Sequence, residues 1–149
     1  MPKPKPVSKV VGIDHISIRV RDYAKSRAFY SKLFEFLGFE VSDDYGSTIG
    51  WTNGKTRYWI AEAEGRKQYK IGDVGLHHYA FELRNRKDVD ALQAFLEKEK
   101  VKIVDPADEY YEDYYAVFFL DPDGIKLEGM KYGELTAQKK KGKTSKSEG

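Results

Sequence analysis

Two segments of the chain alternate apolar and polar residues with the period of a β-strand, and the two resemble each other. The first runs from Ile13 to Val20 and the second from Leu76 to Leu83. A period of two is typical of a strand with one buried face. Each segment carries a histidine at the same register, His15 in the first and His78 in the second, 63 residues later. This spacing indicates an internal duplication, which would set the architecture of the chain.

The residues after the first strand predict a helix followed by three strands. Apolar residues recur at helical spacing over residues 23–37, with Asp22 placed to cap the start of the helix and Gly38 its end. The dipeptide Asn53-Gly54 is a typical two-residue hairpin turn. The predicted strands cover residues 39–42, 47–51 and 56–63.

The second half of the chain predicts the same order of elements. A strand over residues 75–83 precedes a helix over 88–98, whose apolar residues share one face. The segment Asp121-Pro122-Asp123-Gly124 is a turn between two further strands. The predicted strands after the helix cover residues 102–104, 114–120 and 125–130.

Two βαβββ modules in one chain predict an α+β fold, in which a curved mixed sheet carries its helices on the outside. We expect a single domain over residues 10–135, built from modules 10–66 and 72–132. The flanking residues 1–9 and 136–149 are rich in lysine and poor in apolar residues. This composition predicts a disordered tail at each end.

Charge and composition narrow the class of protein. The formal net charge is only +2, and the positive excess lies in the two tails. A lysine-rich end can bind a phosphate backbone, but such a short hydrophilic end is more often a solubilising tail, so nucleic-acid binding is not favoured. The chain has no cysteine and no apolar run near the roughly 20 residues of a membrane helix. We therefore expect no disulfide, no thiolate ligand, no membrane span and a cytoplasmic location.

Strand alternation places His15, His78 and Glu128 on one side of the predicted sheet. The opposite side must carry the helices, because the apolar residues of the same strands point there. Two imidazoles and one carboxylate form a metal-binding triad with open coordination positions. Any one of these residues alone is more often structural, but the matched positions of the two histidines favour a metal site. His77 is expected to face the helices and is not a predicted ligand. The helix-facing residues are Ile16, Ile18, Tyr79, Phe81, Ile125 and Leu127.

Several motifs resemble the vicinal oxygen chelate superfamily, which includes glyoxalase I, fosfomycin-resistance proteins, methylmalonyl-CoA epimerases, bleomycin-binding proteins and extradiol dioxygenases. The resemblance covers roughly residues 10–132, and its motifs are specific for the superfamily but not for one activity. The motifs are Gly12-Ile13-Asp14-His15-Ile16-Ser17-Ile18-Arg19-Val20-Arg21-Asp22, Ser26-Arg27-Ala28-Phe29-Tyr30, Phe36-Leu37-Gly38-Phe39, His78-Tyr79-Ala80-Phe81-Glu82-Leu83 and Phe118-Phe119-Leu120-Asp121-Pro122-Asp123-Gly124-Ile125-Lys126-Leu127-Glu128.

The resemblance implies that His15, His78 and Glu128 bind one divalent metal ion, commonly Zn, Ni, Mn or Fe(II). The metal would act as a Lewis acid on neighbouring oxygens of a substrate. In glyoxalase I a further glutamate, on the last strand of the first module, is both a metal ligand and the acid/base. Here that position falls to Ala61 or Glu62, depending on a one-residue shift in register, and we favour Ala61. The result would be a three-ligand site similar to that of the fosfomycin-resistance proteins.

Alternation also suggests which residues line the cavity around the metal. Arg19 and Glu128 are the catalytic candidates, and Arg19 would either bind an anionic substrate or pair with a nearby acid. The segment from Glu109 to Tyr114 would be either a lid over the site or an exposed hairpin edge. The candidate substrate-binding residues are Ser17, Trp51, Trp59, Tyr115 and Lys126.

Three functions are compatible with these features. The first is a metal-dependent lyase, isomerase or transferase that acts on a small anionic substrate, with a thiol such as glutathione as a candidate co-substrate. The second is a metal-free binding protein of the bleomycin-resistance type, which the intact triad disfavours. The third is an Fe(II) extradiol-type dioxygenase, which would need a further histidine in the pocket. The sequence leaves open whether the chain forms a homodimer.

Overall fold

The chain folds as two compact units, Met1–Arg66 and Lys67–Gly149. The computed structural model describes residues 2–5 and 7–147, with side chains up to residue 142. Each unit contains one βαβββ module with its own four-stranded mixed sheet. The α+β class and the duplication are therefore confirmed, and each module forms a separate sheet.

Unit 1 forms its sheet in the strand order β1-β4-β3-β2. Strands β1 and β4 are parallel, and the other neighbours are antiparallel. The helix therefore makes the crossover between β1 and the rest of the sheet. The elements are β1 (His15–Val20), α1 (Tyr23–Leu37), β2 (Glu40–Asp44), β3 (Thr48–Thr52) and β4 (Arg57–Glu62).

Helix α1 begins and ends as the sequence predicts. The Asp22 side chain accepts a hydrogen bond from the backbone N–H of Lys25, at 3.1 Å, which satisfies one of the free donors at the helix start. Gly38 follows the last turn with φ of 84°, a left-handed conformation that glycine adopts without steric cost.

An aromatic cluster between α1 and the sheet forms the core of unit 1. Phe34 lies at its centre, with ring centroids 4.8 Å from Phe39, 4.9 Å from Tyr58 and 5.0 Å from Trp51. Tyr30 stacks on Phe34 from the preceding turn of the helix, at 5.6 Å. The face of the sheet that α1 covers is thus fixed by these rings, and the other face is left for the candidate site.

Unit 2 repeats the arrangement with the strand order β5-β8-β7-β6, in which β5 and β8 are parallel. Helix α2 begins two residues earlier than predicted, because Asn85 caps it by accepting from the backbone N–H of Asp88. Strand β6 is far longer than the predicted 102–104. The elements are β5 (His78–Glu82), α2 (Arg86–Lys98), β6 (Ile103–Tyr111), β7 (Tyr114–Leu120), β8 (Lys126–Tyr132) and α3 (Glu134–Ser147).

The C-terminal segment forms helix α3, where the sequence predicts a disordered tail. The first turn of α3 is held by Asp113, whose carboxylate accepts from the backbone N–H groups of Leu135 and Thr136 and from the Thr136 hydroxyl. The Glu134 carboxylate accepts in turn from the backbone N–H of Arg86, at 2.7 Å. Capping from a distant turn cannot be read from the local composition, which explains the difference. The last two residues lie outside the described part of the chain.

Over the described residues of the N-terminal segment, 2–5 and 7–9, the structure contains no helix or strand. Whether this segment is disordered stays a prediction, and residues 1 and 6 lie outside the description. Within residues 2–5 and 7–147, no helix is long and apolar enough to cross a membrane.

Candidate metal centre

Glu128 is a buried carboxylate in the middle of β8, with only 2% of its surface exposed. Its Oε2 lies 3.2 Å from Nε2 of His78 on the neighbouring parallel strand. Its Oε1 accepts a hydrogen bond from the Tyr114 hydroxyl, at 2.5 Å. A charged group is costly to bury unless other charges or donors compensate it. This position is therefore suited to a carboxylate that binds a cation.

His78 is the first residue of β5, and its ring is held from both sides. Its Nδ1 lies 2.7 Å from Nδ1 of His77, so that one imidazole donates to the other. Its Nε2 is thereby directed to Glu128. His77 does not face the helices as expected, because its ring is exposed and contacts the ring of His78. Strand alternation does not reach His77, since β5 begins at His78.

The distance between His78 and Glu128 fits shared coordination of one ion. Imidazole nitrogen and carboxylate oxygen bind zinc at about 2.0 to 2.2 Å, and two such ligands on one ion lie roughly 3 Å apart. Nitrogen and oxygen donors suit zinc, nickel, manganese and iron(II). The donor set of this pair is therefore compatible with each metal that the resemblance implies.

His15 is oriented by a carboxylate in unit 1. Its Nδ1 lies 2.7 Å from Oδ2 of Asp14, which in turn lies 2.6 Å from Nη2 of Arg57. Because a carboxylate only accepts, Nδ1 of His15 carries a proton, and in the neutral imidazole the lone pair is then on Nε2. The hydrogen bond from His15, followed by that from Arg57, lowers the pKa of the Asp14 carboxyl below its usual value. Metal-binding histidines typically have such a carboxylate on the second nitrogen.

The predicted triad takes His15 from unit 1 and His78 and Glu128 from unit 2. Within residues 2–5 and 7–147, no three His, Cys, Asp or Glu side chains converge as metal ligands. The structure thus brings His78 and Glu128 together, and the three-ligand site stays a prediction.

Three of the predicted cavity residues lie on the same face of the sheet of unit 1 as His15. Ser17 and Arg19 follow His15 at alternate positions along β1, and Trp59 is the partner of Ser17 on β4. Arg19 is exposed, and its Nη1 lies 3.4 Å from the carbonyl oxygen of Glu62. The Trp59 ring lies against Gly50, where an added Cβ would come within 2.7 Å of the indole. Tyr45 stacks parallel to Trp59, with centroids 6.3 Å apart.

Lys126 lies on the open face of unit 2, as predicted. It is the register partner of His78, and its Nζ lies 4.6 Å from the centre of the Phe118 ring. Phe118 is itself the partner of Glu128 on β7 and contacts the ring of His78 at 6.2 Å. A cationic group and an aromatic ring therefore lie beside the His78–Glu128 pair.

Two of the predicted cavity residues lie instead on the faces that the helices cover. Trp51 is buried against Phe34 of α1, because its partner across the sheet is the core residue Tyr58. Tyr115 donates a hydrogen bond to Asp90 of α2, which with burial raises the pKa of Tyr115 to about 12. The assignment of these two residues to the substrate cavity was wrong, because adjacent residues of a strand face opposite sides.

The register of the two sheets assigns a different residue to the position that corresponds to Glu128 in unit 1. Ser17 and Ala80 each lie two residues after the histidine, and their partners are Trp59 and Glu128. Trp59 therefore corresponds to Glu128, whereas Ala61 corresponds to Met130. Glu62 is exposed and pairs with the buried Val20. Neither Ala61 nor Glu62 occupies this position, and no carboxylate stands there.

Sequence reasoning missed Tyr114 and Asp14. Tyr114 belonged to a segment considered as a lid or a hairpin edge, and the structure places that segment in the β6–β7 hairpin. Burial raises the pKa of the Tyr114 phenol, and the hydrogen bond to Glu128 raises it further, which keeps the hydroxyl protonated. The signal for Tyr114 was its even spacing from Phe118, because residues at even spacing along a strand lie on the same face. The signal for Asp14 was an acidic residue directly before a histidine that was a predicted ligand.

The fold and the paired histidines define a class of small proteins made of two βαβββ modules. The chain belongs to the Glyoxalase/Bleomycin resistance protein/Dioxygenase superfamily, whose family model matches residues 12–128. YaeR of Escherichia coli (strain K12) is 31% identical over 126 residues, which cover 78% of this chain and 92% of that protein. YqjT of Bacillus subtilis (strain 168) is 28% identical over 128 residues, which cover 76% of this chain and 94% of that protein.

Solved structures support the same fold. A putative glyoxalase from Bacillus halodurans is 28% identical, with a TM-score of 0.72 over 80% of this chain and 94% of its own. Lactoylglutathione lyase from Agrobacterium tumefaciens is 17% identical, with a TM-score of 0.64 over 83% of this chain and 96% of its own. The fosfomycin resistance protein FosX from Listeria monocytogenes is 18% identical, with a TM-score of 0.65 over 83% of this chain and 94% of its own. The latter two comparisons show the fold alone.

Proposed function

We propose that the protein is a divalent-metal-dependent enzyme that acts on a small anionic substrate with neighbouring oxygen atoms. The observation that carries this proposal is the buried Glu128 carboxylate, with its Oε2 3.2 Å from Nε2 of His78. His15 stays a predicted ligand, with Nε2 available for a metal because the Asp14 carboxylate accepts from Nδ1. A bound metal would supply Lewis-acid stabilisation of negative charge on the substrate.

The side chains of this protein would bind and orient the substrate. Arg19 and Lys126 supply positive charge on the two open faces, and Ser17 supplies a hydroxyl beside His15. The contact from Arg19 to the Glu62 carbonyl is long, at 3.4 Å, so a substrate carboxylate or phosphonate would compete well for its donors. Trp59 offers a flat apolar surface on the same face as Ser17.

The proposed reaction is either lyase or isomerase chemistry or the addition of a thiol or water. The absence of a carboxylate at the position of Trp59 favours addition, because glyoxalase-type proton transfer would use an acid/base there. Lactoylglutathione lyase and FosX share the fold, which supports both reaction classes. Glutathione is the proposed thiol for addition. A homodimer is the proposed assembly, since many members of the superfamily pair their modules between chains.

Metal analysis tests this proposal. We expect wild-type protein, purified without chelators or a histidine tag, to contain close to one equivalent of zinc, nickel, manganese or iron, or to take it up on reconstitution. His15→Ala and His78→Ala should each lose it. Glu82→Gln is the matched control, because Glu82 is an exposed acid on the same face of β5 as His78. Wild-type protein that takes up no metal would refute the enzyme proposal and favour a binding protein.

Asp14 gives a second prediction in unit 1. Asp14→Ala should weaken metal binding about 10- to 100-fold, because Nδ1 of His15 loses the acceptor that fixes its tautomer. Isothermal titration with zinc would measure the change. Asp44→Ala is the control, since Asp44 also pairs with an arginine of unit 1, Arg27, at 2.5 Å. Equal affinities for the two variants would rule out a role of Asp14 in orienting His15.

A further inference from the structure

We infer that Tyr114 is a positioning residue that reserves one oxygen of Glu128 and leaves the other for the metal. This inference rests on the proposed function, because it assigns Glu128 as a metal ligand. Tyr114 would touch neither the metal nor the substrate, and it would act through Glu128.

The geometry separates the two oxygens of the carboxylate. The Tyr114 hydroxyl donates to Oε1 at 2.5 Å, whereas Oε2 lies 3.2 Å from Nε2 of His78. The two contacts approach the carboxylate from different strands, β7 and β5. A metal beside His78 would therefore meet Oε2, and Glu128 would bind through one oxygen.

The position of Tyr114 is itself fixed by its neighbours. Its ring stacks on Tyr132, with centroids 6.3 Å apart and planes at 12°. Tyr111 contacts it edge-on at 5.8 Å. Two aromatic contacts limit the freedom of the ring, so the hydroxyl is held toward Glu128 before any metal binds. A preorganised partner of this kind raises the affinity of a ligand for its metal.

The consequence concerns which ions the site accepts. One-oxygen coordination with imidazole suits small ions that bind at about 2.0 to 2.2 Å, such as zinc. Calcium prefers more oxygen ligands and often a two-oxygen carboxylate. Without the Tyr114 hydroxyl, Oε1 would lose its donor and the carboxylate would be free to turn, so that Oε2 would no longer be held beside Nε2 of His78.

Cobalt(II) is the probe for the test, because its visible absorption bands report the number and arrangement of ligands. Metal-free full-length wild type, Tyr114→Phe, Tyr132→Phe and Glu128→Ala would be titrated with cobalt(II), and folding of each would be checked by circular dichroism. Tyr132→Phe is the matched control, since it removes a hydroxyl from the ring stacked on Tyr114 and leaves the bond to Glu128 intact. We expect Tyr114→Phe to bind cobalt 10- to 100-fold more weakly, with altered bands. Tyr132→Phe should match the wild type.

The outcomes separate this inference from the proposed function. If Glu128→Ala loses cobalt but Tyr114→Phe matches the wild type in affinity and spectrum, the positioning role is overturned and the metal site stands. Equal changes in Tyr114→Phe and Tyr132→Phe would also overturn it, because the ring stack would then be responsible. If the wild type binds no cobalt, or Glu128→Ala binds it equally well, the proposed function fails and the inference fails with it.

Discussion

Replacing Phe34 by alanine is expected to destabilise unit 1 by about 3 to 5 kcal/mol, the usual range for a buried phenylalanine. Phe34 is fully buried and contacts four other rings, those of Tyr30, Phe39, Trp51 and Tyr58. Removing its ring takes away these contacts and leaves a cavity that rigid aromatic neighbours fill poorly. An effect of this size is a large part of the stability of a typical domain.

Chemical denaturation followed by tryptophan fluorescence would measure this effect. Both tryptophans of the chain, Trp51 and Trp59, belong to unit 1, so their emission reports on that unit. Phe36→Ala is the control, because Phe36 lies two residues along the same helix and is 42% exposed. We expect Phe36→Ala to cost much less. Similar losses in the two variants would show that the aromatic cluster does not hold the unit together.

Asp113→Asn is expected to unfold much of helix α3. Both carboxylate oxygens of Asp113 accept hydrogen bonds, Oδ1 from the N–H of Leu135 and Oδ2 from the N–H and hydroxyl of Thr136. An asparagine offers only one accepting oxygen, and its amide group would face donors at the other position. Asparagine nevertheless tolerates the positive φ of 53° at position 113, so the substitution does not strain the backbone. A polar helix of 14 residues is marginal in water without tertiary contacts.

The loss of α3 should be visible by circular dichroism, because α3 contributes 14 helical residues, compared with 15 in α1 and 13 in α2. Helicity should fall by up to about a third. Glu112→Gln is the control, since it removes a neighbouring exposed charge in the same turn. An unchanged helical signal in Asp113→Asn would contradict the capping role of Asp113.

The same substitution should change the response to acid. Hydrogen bonds from Thr136 and Leu135, with Arg86 nearby, hold the pKa of Asp113 well below its usual value. A carboxyl with a lowered pKa stabilises the folded state above the pKa of the unfolded chain, about 3.9, and loses that contribution as the pH falls further. The difference in unfolding free energy between wild type and Asp113→Asn should therefore be constant near neutral pH. It should shrink as the pH falls below about 4.

Local sequence signals were sufficient where the deciding interactions are local. Helix α1 begins at the residue after Asp22 and ends before Gly38, as predicted. The turn between β3 and β4 contains Asn53-Gly54 as predicted, but it spans residues 53–56 where a two-residue turn was expected. These features depend on hydrogen bonds and dihedral angles within a few residues. Alternation also placed His78 and Glu128 on one face, and the structure shows that their strands are neighbours and that the two side chains are in contact.

Predictions that needed the register between strands were less accurate. The face of Trp51 was decided by its partner Tyr58, and that of Tyr115 by the hydrogen bond to Asp90. The position corresponding to Glu128 fell to Trp59, because β6 and β7, with 9 and 7 residues, are longer than β2 and β3, with 5 residues each. A shift of one residue reverses the face of a strand, and only the formed sheet fixes the shift.

The sequence by itself determined the duplication, the α+β class and the superfamily, and it predicted the histidine and glutamate residues of the candidate metal centre. These follow from the periodicity of apolar residues and from motifs of neighbouring residues. The tertiary structure decided that Tyr114 holds Glu128, that Arg57 holds the Asp14 carboxylate beside His15, and that Asp113 caps α3. The partners in the Tyr114, Arg57 and Asp113 contacts lie 14, 43 and 23 residues apart in the chain, so they meet only when the sheets have formed.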